Sequence, residues 1–381
     1  MKKKIVILGA TGSIGTRTLD VMRDFPDRFS VVGLSTFGKT DLLKKQIEEF
    51  QPKVVNVTDP EKAIDFRKTA DISDCKITSG SDGLSELVEI CKPDICVVAT
   101  VGIAGLLPTL KAIELGSDVA LANKEVLVAG GDLVVDAISS GNSLILPIDS
   151  EHNAIMECLQ GENQGSIRRI ILTASGGPFR NYSLEDLKSV TPKEALNHPT
   201  WNMGPKITID SATMMNKGFE VIEAHHLFKL PVDNISVFIH PQSIVHSMVE
   251  FIDGSIKAQL SVTDMYLTIQ SALFFPERLP NDLERLDLTA IQDLSFDMPR
   301  KESFPCLEYA YEASRKGGTA PAALNAANEV AVRRFLENDI AFQTIPEIIR
   351  KTLDLHENKN NPELEDILQA DRITRKKAEK L

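Results

Sequence analysis

In the stretch PIDSEHNAI, residues 147–155, Asp149, Ser150, Glu151 and His152 stand side by side after the apolar run SLIL. If the chain is still extended there, side chains two apart point the same way, so Asp149 and Glu151 can share one cation. Ligation by oxygen alone favours Mg2+ or Mn2+ over Zn2+. The same letters also suit a helix start, with Asp149 or Ser150 as N-cap and Glu151 facing the helix N-terminus. His152 points away from the shared side of an extended chain and is read as a helix-start or supporting histidine, not as a ligand.

A third ligand must come from elsewhere, and SATMMNKGFEVIEAHHLF offers one. Asn216, Glu220 and Glu223 fall on one stripe at helical spacing, which by itself does not separate Glu220 from Glu223 and also fits an ordinary polar face. Residue types suited to an anion gather around it in the sequence: Ser175-Gly176-Gly177, His198, Ser211, Asn216 and Lys217. Hydroxyls, an amide, an ammonium and backbone N–H groups are what a phosphate monoester needs, and bonds to its charged oxygens are strong. A second loaded strand end, ALANKE, carries Asn123, Lys124 and Glu125.

These residues need a scaffold, and the first part of the chain supplies a regular one. KIVIL, FSVVGLS, KVVNV, DICVVAT, DVALA and SLILPI alternate with helix-like segments. Apolar strands without polar alternation, joined by helical crossovers, predict a doubly wound parallel sheet over residues 1 to about 150. Gly9, Gly12 and Gly15 in VILGATGSIG lie between the first strand and first helix, where a tight turn brings backbone N–H groups to a pyrophosphate. Their GxxGxxG spacing departs from GxGxxG, and a plain strand-to-helix turn would use the same glycines. An NAD site usually places an acid about 20 residues further on. Ser35 stands there, in LSTFGKT, with Lys39 suited to a 2′-phosphate and Asp41 to capping the next helix. NADP(H) is therefore expected rather than NAD.

Beyond Glu151 the rhythm changes. IRRIILTA is a further strand, and the irregular Ser175–Pro205 stretch reads as a functional lid. Residues 211–228 read as one helix. SIVHSMVEFIDGSIKAQLSV predicts an antiparallel hairpin turning at Asp253-Gly254, with Ile256, Ala258, Leu260 and Val262 on a buried face. Residues from about 275 to 300, rich in Pro and Asp, read as a linker, and the remainder as helices.

The 381 residues suit two or three domains, and 54 acidic against 42 basic side chains give a net charge of −12. That balance argues against a nucleic-acid or anionic-membrane partner, so an anionic substrate must meet a local cationic pocket. Cys75, Cys91, Cys96, Cys158 and Cys306 form no CxxC pair and read as reduced thiols. The opening MKKKIVILG breaks off too soon for a signal peptide, and no apolar run approaches the roughly 18 residues of a membrane span. A soluble, cytoplasmic protein is expected.

GATGSIG, LANKE, DSEHNAI, SGGPF, HPTWNMGPKITIDSATMMNKGFEVIEA, HPQSIVHSM and PAALNAANE together resemble the 1-deoxy-D-xylulose 5-phosphate reductoisomerase family over essentially the whole chain. The resemblance implies a homodimeric, three-domain enzyme of non-mevalonate isoprenoid biosynthesis. Its parts would be a Rossmann-like doubly wound α/β domain at 1–148, which binds NADPH, and an α/β catalytic domain with a mixed sheet at 149–275. A linker at 276–300 and a small α-helical domain at 301–381 would follow. By the same resemblance Asp149, Glu151 and Glu220 bind a divalent cation, Mg2+ or Mn2+. Ser175, Ser211, Asn216 and Lys217 would hold the substrate's phosphate, with His198 beside the substrate, and Lys124, Ser150, Glu151 and Glu220 would meet the substrate near the metal. Cofactor contacts would come from Thr11, Gly12, Ser13, Ile14, Gly38, Lys39, Thr40, Asn123, Glu125 and Gly204. Trp201 and Met203 would lie on a flap.

The implied reaction rearranges 1-deoxy-D-xylulose 5-phosphate by carbon–carbon cleavage and re-joining, then reduces the branched aldehyde to 2-C-methyl-D-erythritol 4-phosphate. Lys124 and Glu151 are the candidates for moving protons. The chain departs from the family's usual residues at Thr40 (often Asn), Asn202 (commonly Ser) and Phe219 (commonly Leu). Two competing readings are a dehydrogenase of another phosphorylated substrate without rearrangement, and a non-catalytic NADP(H) sensor.

Overall fold

The computed structural model describes residues 2–69, 75–201 and 203–381. Its first sheet has strands β1 (Lys3–Leu8), β2 (Phe29–Thr36), β3 (Val54–Val57), β4 (Lys76–Ser79), β5 (Ile95–Val98), β6 (Asp118–Leu121) and β7 (Ile145–Pro147). All are parallel, in the order β4-β3-β2-β1-β5-β6-β7. Parallel neighbours need crossovers. These run through α1 (Ser13–Asp24), α2 (Thr40–Phe50), α3 (Pro60–Thr69), α4 (Asp82–Cys91), α5 (Leu106–Glu114) and α6 (Glu125–Ser139). Every residue of β3 and β5 is buried, as in strands covered on both faces. The sequence pattern misses β4, whose KITS is short, polar and at the sheet edge.

Along the rest of the chain come α7 (Ser150–Cys158), β8 (Ile167–Ala174), α8 (Pro192–Ala195), α9 (Pro205–Ala212) and α10 (Met215–Phe228). They are followed by β9 (Ile235–Ile239), β10 (Val245–Phe251), β11 (Ile256–Leu260) and α11 (Met265–Phe274). Four helices end the chain: α12 (Cys306–Lys316), α13 (Ala320–Leu336), α14 (Thr344–Asp354) and α15 (Leu364–Ala378). The chain divides into two compact units, one of Met1–Val126, Val134–Asn153 and Asp264–Leu283, the other of Leu127–Leu133, Ala154–Thr263 and Glu284–Leu381.

In the first unit the strand order reverses at β1, which pairs β2 on one side and β5 on the other. Ligands of such sheets sit beyond the carboxyl strand ends at this switch point. The glycine turn follows β1 directly. Gly9 has φ +88°, and a Cβ there would stand 2.4 Å from Ala99 O, while a Cβ at Gly15 would stand 2.3 Å from Gly9 O. Only glycine fits either place. Helix α11 returns to this unit and packs on α1, with Arg17 2.5 Å from Asp264 and the Tyr266 hydroxyl donating to Asp24 at 2.6 Å.

In the second unit β11-β10-β8-β9 form a mixed sheet in which only β8 and β9 are parallel. The β8–β9 crossover is the long segment that carries the candidate lid and phosphate residues. The helix expected over 211–228 is two helices, α9 and α10, broken at Met214 with φ +63°. The expected buried face of the hairpin is also corrected. The hairpin forms, but β11 is an edge strand, and Ile256 (53 % exposed), Lys257 and Ala258 all face solvent. One apolar core joins β8, β9 and α10 to α12, α13 and α14. Residues 276–300 contain no helix, only a bridge from Asp297 to Ile239.

Candidate active site

In the first unit, β7 ends at Pro147 and α7 starts at Ser150, so the chain has left the extended form before Glu151. Asp149 caps the helix: its Oδ1 accepts the Glu151 N–H at 3.3 Å and its carbonyl the Asn153 N–H at 2.9 Å. Capping does not use up the carboxylate. Its Oδ2 lies 2.6 Å from Lys124 Nζ, and both side chains are nearly buried. The Ser150 hydroxyl donates to Glu151 Oε2 at 2.5 Å. His152, fully buried in the first turn of α7, has Nδ1 3.4 Å from Asp149 Oδ1, so helical geometry turns it towards the aspartate and not away as an extended chain would. A buried aspartate beside an ammonium is stable only while positive charge stays close.

The cofactor candidates other than Gly204 lie in the same unit, beyond the carboxyl ends of β1, β2 and β6. Gly12 is the N-cap of α1, with Ser13 and Ile14 in its first turn. Thr11 and Thr36 share a hydroxyl–hydroxyl bond of 2.5 Å, and the Lys39 N–H donates to Thr36 Oγ1 at 3.2 Å, which ties the β2 loop to the glycine turn. Gly38 and Lys39 lie in that loop and Thr40 opens α2. Ser35 has a role that the sequence does not reveal. Its Oγ accepts the Gly9 N–H at 2.8 Å and its carbonyl the Ala10 N–H at 2.7 Å, so the place of the usual acid supports the turn itself. Asn123 Nδ2 donates to Gly102 O at 2.9 Å and Thr100 Oγ1 at 3.1 Å, and Glu125 opens α6.

In the second unit, Ser175 follows the carboxyl end of β8. His198 Nε2 lies 3.0 Å from Ser175 Oγ and 3.1 Å from Ser211 Oγ, which joins three of the predicted phosphate residues. Gly177, at φ +69°, lets the loop touch α9, for a Cβ there would stand 2.7 Å from Ser211 O. On the other edge of the imidazole, Nδ1 accepts the Trp201 N–H at 3.0 Å. An accepting Nδ1 has no proton, so the neutral ring carries it on Nε2 and donates towards the serines. Burial, and secondly the Arg180 guanidinium, push the His198 pKa down to about 4. Trp201 and Met203 are half-buried, the Trp201 ring 6.3 Å from that of His246, and Gly204 caps α9. Asn202 lies outside the described residues.

Helix α10 presents Asn216, Lys217 and Glu220 together. Asn216 Nδ2 donates to Glu220 Oε1 at 2.6 Å and Lys217 Nζ donates to Oε2. Lys217, Glu220 and Glu223 are all buried. The chemistry of the three predicted metal donors fits a hard divalent cation: all are carboxylates, and Asp149 and Glu220 each already hold an ammonium.

The neutral state of His198 has a measurable consequence. An unfolded chain protonates this histidine near pH 6.5, and the folded one near 4. The unfolded state therefore binds more protons between these values, so stability is lost as pH falls from about 6.5 towards 4 and is unaffected above. The melting temperature of His198→Gln is expected to fall less than that of the wild type between pH 7.5 and 5. Equal falls would show that His198 titrates normally.

Family models match nearly the whole chain. That for 1-deoxy-D-xylulose 5-phosphate reductoisomerase covers residues 5–131, that for the C-terminal domain of the same enzyme 145–228, and a DXP reductoisomerase C-terminal domain 260–377. A 1-deoxy-D-xylulose 5-phosphate reductoisomerase of Caldanaerobacter subterraneus subsp. tengcongensis is 53 % identical over 376 residues, 98 % of each chain. One of Thermoanaerobacter pseudethanolicus is 52 % identical over 379 residues, 99 % of each. Among solved structures, the Zymomonas mobilis reductoisomerase in complex with NADPH superposes with a TM-score of 0.91 at 42 % identity, over 99 % of this chain and 98 % of that one. A DOX-P reductoisomerase in complex with NADPH, fosmidomycin and magnesium gives 0.95 at 42 % identity with the same coverage.

Proposed function

This chain belongs to the 1-deoxy-D-xylulose 5-phosphate reductoisomerase family, and on that premise we propose that it converts 1-deoxy-D-xylulose 5-phosphate to 2-C-methyl-D-erythritol 4-phosphate. NADPH is the reductant, a divalent cation is required, and the product feeds isoprenoid precursor synthesis by the non-mevalonate route. The observation that carries the reading is a pair of buried ion pairs, Lys124 with Asp149 and Lys217 with Glu220, each a metal carboxylate beside a substrate-binding ammonium. Beside the second, on α9 and the loop after β8, stands the Ser175–His198–Ser211 chain.

In this reading Asp149, Glu151 and Glu220 converge on one cation. When bound, the cation polarises the substrate's keto and hydroxyl oxygens, and NADPH supplies hydride. Lys124 Nζ exchanges a proton with the substrate oxygen nearest Asp149. Glu151 orients the Ser150 hydroxyl, with its carboxylate as the alternative proton acceptor. Ser175, Ser211, the Nε2–H of His198, Asn216 and Lys217 hold the phosphate. Binding that end, away from the reacting carbons, lets Trp201 and Met203 close over the site and exclude water. Thr11, Gly12, Ser13, Ile14, Gly38, Lys39, Thr40, Asn123, Glu125 and Gly204 hold NADPH. The functional division is 1–148 for cofactor, 149–275 for catalysis, 276–300 as linker and 301–381 as helical support.

Mg2+ and Mn2+ both suit the donor set. The enzyme works in the cytoplasm as a homodimer built on the open edge of β11, since exposed apolar edges such as Ile256 invite pairing with a second copy. No helix among the described residues is long and apolar enough to cross a membrane. The deciding experiment is NADPH oxidation with 1-deoxy-D-xylulose 5-phosphate, run with and without chelator, with carbon NMR of the product and light scattering of the enzyme. A branched polyol phosphate formed only with metal is expected. An unbranched alcohol would sink the rearrangement, and a monomer mass the dimer.

A further inference from the structure

The loop between β2 and α2 holds more than the cofactor residues recognised in the sequence. Phe37, directly beyond the carboxyl end of β2, is 72 % exposed. A single exposed phenylalanine is ordinary. This one is held by its backbone at a cofactor turn: its carbonyl accepts the Asp59 N–H at 2.8 Å, Thr36 before it bonds Thr11 of the glycine turn, and the Lys39 N–H bonds Thr36. An exposed apolar ring whose backbone is held beside a nucleotide site has a natural occupant, the face of a base.

The first turn of α3 faces the same loop. A Cβ at Gly38 would lie 3.5 Å from Lys62 Cγ, so the Lys62 stem runs along Gly38, next to Lys39. Neither the Lys39 nor the Lys62 ammonium has an ion-pair or hydrogen-bond partner among the described residues. The nearby Asp59 carboxylate instead caps α3, its Oδ1 accepting the N–H groups of Glu61 and Lys62 at 2.9 and 3.0 Å. Two unpaired lysines flanking one glycine, in a chain of net charge −12, make a local cationic spot on an acidic protein.

We propose that Phe37 and Lys62 complete the adenosine end of the cofactor site, Phe37 as the stacking face for adenine and Lys62 as a second cation, with Lys39, for the 2′-phosphate. The proposal rests on the reading that this chain uses NADPH. Stacking is indifferent to the ribose phosphate, whereas Lys62 acts only where that phosphate is present. The two residues thereby separate affinity for the nucleotide from selection of NADPH over NADH.

Titration calorimetry of the full-length protein with NADPH, adenosine 2′,5′-bisphosphate and ADP separates the two roles. Phe37→Ala is expected to weaken all three by roughly five- to a hundredfold, with Phe37→Tyr restoring them. Lys62→Gln is expected to weaken NADPH and the bisphosphate by about three- to tenfold and leave ADP as it was. Ile64→Ala, an exposed change on the same helix, should bind like wild type. Phe37→Ala within about twofold of wild type for every ligand overturns the stacking role, and Lys62→Gln that keeps the wild-type preference for the bisphosphate over ADP overturns the phosphate role. Wild-type protein that binds none of the three overturns the NADPH reading itself.

Discussion

Glu220→Gln is expected to lower metal-dependent NADPH oxidation with 1-deoxy-D-xylulose 5-phosphate by about a thousandfold or more. Electrophilic stabilisation by a bound cation is worth several kcal/mol, and about 4 kcal/mol is a thousandfold in rate. The substitution keeps the side chain's volume and its amide can still accept from Asn216 Nδ2, now at 2.6 Å. It removes one negative charge from a fully buried position. That has a structural cost, because Lys217 loses a buried ionic partner, and breaking such a pair costs roughly 3–5 kcal/mol. The variant must therefore be checked for a native far-ultraviolet spectrum and melting transition before its rate is read.

A metal titration separates the two effects. Mn2+ binding followed by electron paramagnetic resonance should weaken in Glu220→Gln while the protein remains folded. Glu223→Gln supplies the comparison, since Glu223 lies one helical turn further on and is equally buried. If Glu223→Gln loses the ion and Glu220→Gln keeps it, the third ligand is Glu223 and the assignment falls.

That choice between two glutamates marks the limit of the sequence. Spacing on α10 puts both on one stripe, and only the residue-by-residue resemblance prefers Glu220. The structure adds that Asn216 and Lys217, seven and six residues before Glu223, grip Glu220. Gly9 and Gly15 were legible because a turn between a buried strand and a helix leaves room for no other residue. Ser35 was legible only as a missing acid. Its work, supporting Gly9, depends on a hydrogen bond across 26 residues that no periodicity encodes.

Elsewhere local pattern misled for identifiable reasons. Met214 takes a left-handed conformation that nothing in its side chain favours, so the break between α9 and α10 comes from tertiary packing. The alternation in IKAQL suggests one buried face, but burial depends on a partner, and an edge strand has one neighbour only. For Asp149 and Glu151 the sequence leaves an extended chain and a helix start both open, and the structure takes the helix start. The candidate residue types serve in either geometry, because a capping aspartate can still offer its second oxygen to Lys124. Residue chemistry was thus more legible than geometry, and the tautomer of His198 was not legible at all.

Lys217→Met should lower kcat/KM for the phosphorylated substrate by about a hundred- to a thousandfold, through kcat as well as KM. Removing one partner of a buried charge contact typically costs 2–5 kcal/mol, and Lys217 is only 5 % exposed at its side chain. The loss should reach kcat because, in the proposed mechanism, phosphate binding drives closure of the flap, and closure is completed in the transition state. Trp201, the one tryptophan of the chain, lies in the proposed flap and would report closure directly. Substrate-induced change in its fluorescence should shrink in Lys217→Met.

Lys217 also holds Glu220, so a lost rate alone does not identify the phosphate as its target. Non-additivity does. On 1-deoxy-D-xylulose, which has no phosphate, wild type already lacks the interaction, and Lys217→Met should cost little more. If the variant instead loses the same factor on both substrates, Lys217 acts through Glu220 and the cation. The phosphate would then be left to Ser175, His198, Ser211 and Asn216.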